Sequence, residues 1–202
     1  MRPEAAVRAG LSPPAAESRA GVVLCRAAGE AWAHGRGNAA MVRSGRFVAR
    51  FVTPVEDEQI QPNGVDLRLG ELFRITGTGA LHPAGTQLAE REAVERPDDP
   101  AAAPEPLAPG AYVVRYVERV RVPEGHVGLI LPRSSLLRNG AVLYSALWDQ
   151  GYEGRGEGLL VLWHPLVLPP RCRIGQFMLM TAEAAAAYCG QWQGENLGTG
   201  RE

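Results

Sequence analysis

The chain has 202 residues, with 21 basic and 22 acidic side chains and a formal net charge of −1; this length suits one domain with an appendage, and the balance gives no global basic field for DNA or RNA. Every basic residue is Arg, so a Walker A loop, which needs a phosphate-binding Lys, is excluded. Cys25, Cys172 and Cys189 stand far apart without CxxC spacing, and no apolar run approaches a membrane span, which favours a reducing cytoplasm and no membrane partner.

Residues 1–40 are rich in Ala, Gly and Arg without periodicity and read as a disordered extension; Met41, where patterned sequence begins, is a candidate start of a shorter protein. From there the chain reads as short strands cut by Pro or Gly, at 46–52, 64–69 and 71–75, with Val65, Leu67 and Leu69 alternating as in a half-buried strand. Residues 80–108 are rich in Pro, Ala and charge and predict a mobile loop, with one helical turn at 88–94. Strand patterns return at 111–117, 119–122, 126–131, 142–144, 158–163 and 174–180. Residues 181–187 predict a short C-terminal helix with Thr181 as its cap. Many short strands at turn-punctuated intervals predict an all-β fold, a barrel or jelly roll, with a domain over 41–202.

Chemistry concentrates in two places. Arg133-Ser134-Ser135-Leu136-Leu137-Arg138 ends an apolar strand with two hydroxyls between two guanidinia, a set that can bond several phosphate oxygens. A plain helix start, with Ser134 as cap and Arg138 facing solvent, explains the same residues, and the two readings are compatible. Asp149, in Trp148-Asp149-Gln150-Gly151-Tyr152, is either a turn residue or a base for water, and Tyr152 can lie against a sugar.

Asp66 and Gln176 each break an apolar strand. Asp66 is either paired with an Arg such as Arg68 or a direct or water-bridged ligand of phosphate-bound Mg²⁺, and Gln176 needs hydrogen-bond partners in either role. The four histidines show no paired spacing, and Trp148, Trp163 and Trp192 read as packing residues. The His-x-Glu and Pro-Cys-x-x-Cys segments of a zinc nucleobase deaminase do not occur.

In order, Gly64-Val65-Asp66-Leu67, Pro132-Arg133-Ser134-Ser135, Asp149-x-x-Tyr152-x-Gly154 and Arg173-Ile174-Gly175-Gln176 resemble four motifs of the dUTPase and dCTP deaminase superfamily, in its archaeal-type, deaminase-like branch. The resemblance implies a distorted jelly roll with one short helix after the phosphate-binding motif. It also implies a homotrimer with active sites between subunits, and Mg²⁺ on the triphosphate. Asp149 would position the water that attacks the α-phosphate of dUTP, giving dUMP and pyrophosphate, and Tyr152 would disfavour a ribose 2′-hydroxyl. Arg133, Ser134, Ser135, Arg138, Gln176, Tyr188 and Gln193 would bind substrate.

Deaminases of this superfamily use a Glu on the strand after the third motif, where this chain aligns Val161, and valine cannot carry a proton. A dCTP deaminase, bifunctional or not, would therefore need Glu157 or Glu153 from a shifted register. A nucleotide sensor without turnover is the third reading, against which Asp149 stands. The tail, from Tyr188 through Gln193 to the end, resembles the deaminase-like lid, with Trp192 as its aromatic, Gln191 where a Lys often stands and Glu195 for a Gln.

Overall fold

The computed structural model describes residues 41–96 and 105–198; residues 1–40, where the sequence predicts a disordered extension, lie outside these, as do 97–104 within the expected loop. The first described segment is helical where patterning predicts a strand. Ser44 caps helix α1 (Gly45–Val48) by accepting a hydrogen bond from the Phe47 amide at 3.4 Å, and a 3-10 turn follows over Ala49–Phe51. Phe47 and Phe51 are four residues apart and their ring centroids lie 5.3 Å apart, the meeting that helical spacing allows. A Cβ on Gly45 would stand 1.8 Å from the Gln61 carbonyl oxygen, so this turn lies directly against the chain beyond it.

The rest is strand. In chain order come β1 (Val52–Thr53), β2 (Ile60–Gln61), β3 (Gly64–Ile75), β4 (Ala80–His82), β5 (Gly85–Gln87), β6 (Arg91–Ala93), β7 (Gly110–Tyr116), β8 (Arg119–Arg121) and β9 (His126–Pro132). Helix α2 (Ser134–Arg138) then leads to β10 (Ala141–Tyr144), β11 (Glu153–Gly154), β12 (Glu157–Leu162) and β13 (Arg173–Thr181). The main sheet runs β10-β12-β7-β3-β13-β9, with β2 and β6 also on β3. Leu143 of β10 and Ile130 of β9 both close on Gly175, where an added Cβ would meet them at 2.7 and 2.8 Å, so the sheet curls into a nearly closed barrel. This is the all-β barrel that the strand spacing predicts. Val65, Leu67, Leu69, Val114, Tyr116, Leu160, Ile174, Phe177 and Leu179 fill its interior. Among the described residues no helix is long and apolar enough to cross a membrane.

Five further local expectations are corrected. Segments 64–69 and 71–75 form one strand, β3, which pairs with β13 up to Leu67 and Arg68 and with β7 from Leu69 onward, through a bulge at Gly70. All six residues Gly64–Leu69 are buried, so this half is covered on both faces rather than alternating. The expected loop after residue 80 contains the β4-β5 hairpin, and its expected helical turn is strand β6 on the edge of β3. No helix forms at 181–187: Thr181 ends β13, its amide bonds to the Met41 carbonyl, and the Ala182 amide bonds to that of Gly125. Seven residues make barely two turns, too short to hold a helix without tertiary packing.

Where β3 changes partner, a charge is wholly buried. Glu118, in the β7-β8 turn, accepts hydrogen bonds from the Arg68 amide (2.9 Å), Arg68 Nε (2.7 Å) and Gln59 Nε2 (2.9 Å). The Arg68 Nη1 donates to Glu56 at 2.7 Å, and Gln59 Nε2 also donates to the Asp66 carbonyl at 2.7 Å. Glu118→Ala would leave the buried Arg68 guanidinium with the exposed Glu56 alone, and the Arg68 amide and Gln59 Nε2 without this acceptor. A loss of about 3–5 kcal/mol in unfolding free energy is expected, read from the urea midpoint; a loss below about 1 kcal/mol would show that the network is dispensable.

Candidate active site

The phosphate-binding candidates sit where β9 leaves the barrel. Apolar alternation carries β9 to Pro132, and the chain then turns into α2, whose N-cap is Arg133 rather than Ser134. The Ser134 and Ser135 side chains are therefore not spent as helix caps; both residues are exposed, as is Arg138, and only Leu136 of this helix turns into the core. Asp66 does not pair with Arg68. It faces Arg133, whose Nε lies 3.1 Å from Asp66 Oδ2, and Arg173, whose Nη1 lies 3.5 Å away. Neither guanidinium is aligned to hydrogen-bond this oxygen, which is buried.

Burial pushes the Asp66 carboxyl above its ordinary value, against the pull of Arg133 and Arg173. Gln176 stands opposite Asp66 in the β3-β13 register, and its side chain occupies the space beside Gly64, where a Cβ would come within 2.8 Å of it. Three of the four expected motifs thus converge: two guanidinia on one buried carboxylate, with two exposed hydroxyls and Arg138 beside them. The arrangement offers a polyanion several donors on a base already fixed by charge.

The third motif lies elsewhere. Asp149 and Tyr152 belong to a cleft of about 220 Å³ that is also lined by Leu88, Arg91, Trp148, Glu157, Tyr188 and Glu195. Trp148 bridges to Gly128 through reciprocal backbone hydrogen bonds. Gly128 stands five residues before Arg133, so at about 3.3 Å per residue that bridge lies roughly 16 Å back along the chain from the guanidinium's backbone. Within one chain none of Arg133, Ser134, Ser135 or Arg138 lines the cleft.

Tyr152 is buried, with its ring edge-on to Trp148 (4.9 Å) and Tyr188 (5.9 Å), and its hydroxyl donates to Glu195 Oε1 at 2.7 Å. Asp149 is exposed at the rim. Of the three tryptophans read as packing residues, only Trp148 is buried; Trp163 is exposed and Trp192 lines the cleft. Nothing in a segment resembling a loop marked Arg91 or Leu88, which β6 and the connection before it carry to the cleft.

The two proton-shuttle alternatives fare differently from each other. Glu157 faces the cleft, but its oxygens are taken up by Arg91 (2.6 Å) and Arg115 (3.0 Å). Glu153 pairs with Arg119 and does not line the cleft. Val161 lies mid-strand between Val142 and Ala111.

The tail closes over this cleft. The Tyr188 amide bonds to the Gln150 carbonyl (2.7 Å), the Gly194 amide to that of Glu153 (2.8 Å), and the Asn196 side chain donates to that of Arg155 (2.8 Å). Gln193, expected to bind substrate, spends its amide on the hairpin: Nε2 donates to the Gly151 carbonyl and Oε1 accepts from the Glu153 amide. Burial, reinforced by Glu157, raises the Glu195 carboxyl above its ordinary value, although Tyr152, Arg115 and Arg91 pull it down.

A carboxyl raised by docking takes up protons as the tail docks. Docking is therefore strongest at low pH and weakens as pH rises through the raised value. After correction for intrinsic exchange rates, the Gly194 and Arg155 amides should be better protected at about pH 5 than at about pH 8, and Glu195→Gln should flatten the difference. Equal protection in the unaltered protein would remove Glu195 from control of docking.

Comparison with known proteins gives the family of the chain. Residues 36–182 match the family model described as dCTP deaminase-like. A probable deoxyuridine 5′-triphosphate nucleotidohydrolase of Halobacterium salinarum is 40% identical over 161 residues, covering 79% of this chain and 98% of that protein. A deoxyuridine 5′-triphosphate nucleotidohydrolase of Methanocaldococcus jannaschii is 34% identical over 145 residues, covering 71% and 93%. Among solved structures, the 2′-deoxycytidine 5′-triphosphate deaminase of Agrobacterium tumefaciens superposes with a TM-score of 0.51 at 19% identity, over 71% of this chain and 48% of that one, a likeness of fold. With a family model spanning most of the chain and relatives aligned over nearly their whole length, the chain belongs to the dCTP deaminase-like family.

Proposed function

We propose that the protein is a dUTP diphosphatase that hydrolyses dUTP to dUMP and pyrophosphate. Two lines support the reading over deamination of dCTP: its relatives at 34–40% identity carry the nucleotidohydrolase name, and β12 offers no acid at Val161, while Glu157 is held by two guanidinia. In this reading the cleft takes the nucleoside, with Tyr152 against the sugar and Tyr188 beside it. Asp149 accepts a proton from water as that water attacks the α-phosphorus, and the bond to the oxygen bridging toward the β-phosphate breaks. Arg133, Ser134, Ser135 and Arg138 hold the departing pyrophosphate, over a base that Asp66, Arg173 and Gln176 keep in place.

The cleft is smaller than the roughly 300–1,000 Å³ of sites that take a whole drug-sized ligand, which suits a half-site for the nucleoside. A homotrimer with sites between subunits would bring the Asp149 half of one chain to the Arg133 half of the next. Leu131, Leu137, Tyr144 and Leu147, exposed on or beside β9, α2 and β10, are apolar surface for such contacts.

Among the described residues no three His, Cys, Asp or Glu side chains converge to hold a metal ion. Asp66 is also already engaged by Arg133 and Arg173. A divalent cation, Mg²⁺ in this reading, would come with the triphosphate, and Asp66 is the residue that would hold it, through water. Such an ion neutralises phosphate charge when bound. The setting is cytoplasmic, where the nucleotide pool lies.

Asp149→Asn should lower kcat by about 10²–10⁴ while a non-hydrolysable dUTP analogue still binds. A rate near that of the unaltered enzyme would remove Asp149 from the base role. Asp149→Asn and Arg133→Ala chains, each inactive alone, should regain about a quarter of full activity when unfolded and refolded together, the share of intact sites in random trimers. No recovery would overturn the shared-site arrangement.

A further inference from the structure

We propose that Glu195 is the positioning residue that sets discrimination between deoxyribose and ribose, by holding the Tyr152 hydroxyl and so fixing the ring against which the sugar lies. The inference rests on the placement of the sugar at Tyr152 given above and assigns the tail a part in it.

Three observations carry it. The Tyr152 hydroxyl and a Glu195 carboxylate oxygen are 2.7 Å apart, and a carboxylate can only accept, so the proton of this bond comes from the tyrosine. The hairpin is also cut to fit this pair. A Cβ on Gly154 would stand 2.7 Å from the Tyr152 hydroxyl and 3.1 Å from Glu195 Cγ, and one on Gly156 would stand 2.9 Å from that hydroxyl and 2.5 Å from the Trp148 ring. Two positions thus lack side chains where the hydroxyl and its acceptor are seated. Finally, Glu195 itself is placed by the backbone, since its carbonyl accepts from the Arg155 amide (3.0 Å) and its neighbour Asn196 donates to the Arg155 carbonyl.

The consequence is positional. Edge contacts with Trp148 and Tyr188 restrict the Tyr152 ring without fixing how far it projects toward a bound sugar. The hydroxyl bond supplies that last constraint, and a ring free to retreat would admit the extra oxygen of a ribose. A glutamine can still accept this bond through its carbonyl oxygen, whereas alanine cannot. Arg91, Arg115 and Glu157 are the other charged groups around Glu195. They remain in every variant proposed below, so a change of site charge alone is common to the glutamine and alanine variants.

The test is the ratio of kcat/KM for dUTP to that for UTP. Glu195→Ala and Tyr152→Phe should each lower the ratio about tenfold, mainly through improved use of UTP, and the double variant should lose no more than either single one. Glu195→Gln should stay within about threefold of the unaltered enzyme. An unchanged ratio in Glu195→Ala, or losses that multiply in the double variant, would overturn the proposal. Tyr152→Ala separates the two levels. If that variant discriminates normally, the sugar does not lie at Tyr152 and the functional reading fails with the inference; if it loses discrimination while Glu195→Ala does not, the inference alone fails.

Discussion

The buried bond between Glu118 and Arg68 is the constraint on which the rest depends. A carboxylate taken fully out of water is tolerated only when its oxygens are satisfied, and here an amide, a guanidinium and an amide side chain do so. The same contact fixes the residue at which β3 leaves β13 and joins β7: the Arg68 amide goes to Glu118, and its carbonyl accepts from Val117. Asp66 is two residues upstream on that strand. The pair that holds the sheet together thus also sets the depth of the carboxylate under Arg133 and Arg173.

Strand β9 relates the two halves of the site. Its middle is bridged to Trp148, which brings the Asp149 hairpin alongside, and its end delivers Arg133 and the two serines. A rigid strand keeps these ends apart within a chain, and that separation is the physical reason why assembly and catalysis are joined in the proposed reading. In that reading an isolated chain would be a poor catalyst.

The tail shows how one residue type changes a role. Glu195 brings a carboxylate close to Glu157, which also faces the cleft, and direct contact with a triphosphate would cost repulsion. In the structure it turns to a hydroxyl instead. Gln193 likewise serves the hairpin, so the closed tail is held by its own contacts with residues 150–155.

Local signals determined much on their own. Alternating apolar residues bounded by Pro and Gly marked β7, β9, β12 and β13, because a strand writes its exposure into every second residue. The hydroxyl and guanidinium cluster and the Asp-x-x-Tyr segment were legible for a similar reason: packing does not call for those residue types. The Phe47 and Phe51 spacing was also a helix signal within the sequence, hidden by the β-branched residues around it. Tertiary structure alone decided the remainder. Asp66 lies between Arg133 and Arg173, Glu118 meets Arg68 and Glu195 meets Tyr152 over separations that no periodicity encodes. After Thr181, residues 182–187 form no helix, since so short a run needs tertiary packing to hold one. Periodicity reports one strand's surroundings; which distant charges share a site depends on how the whole sheet closes.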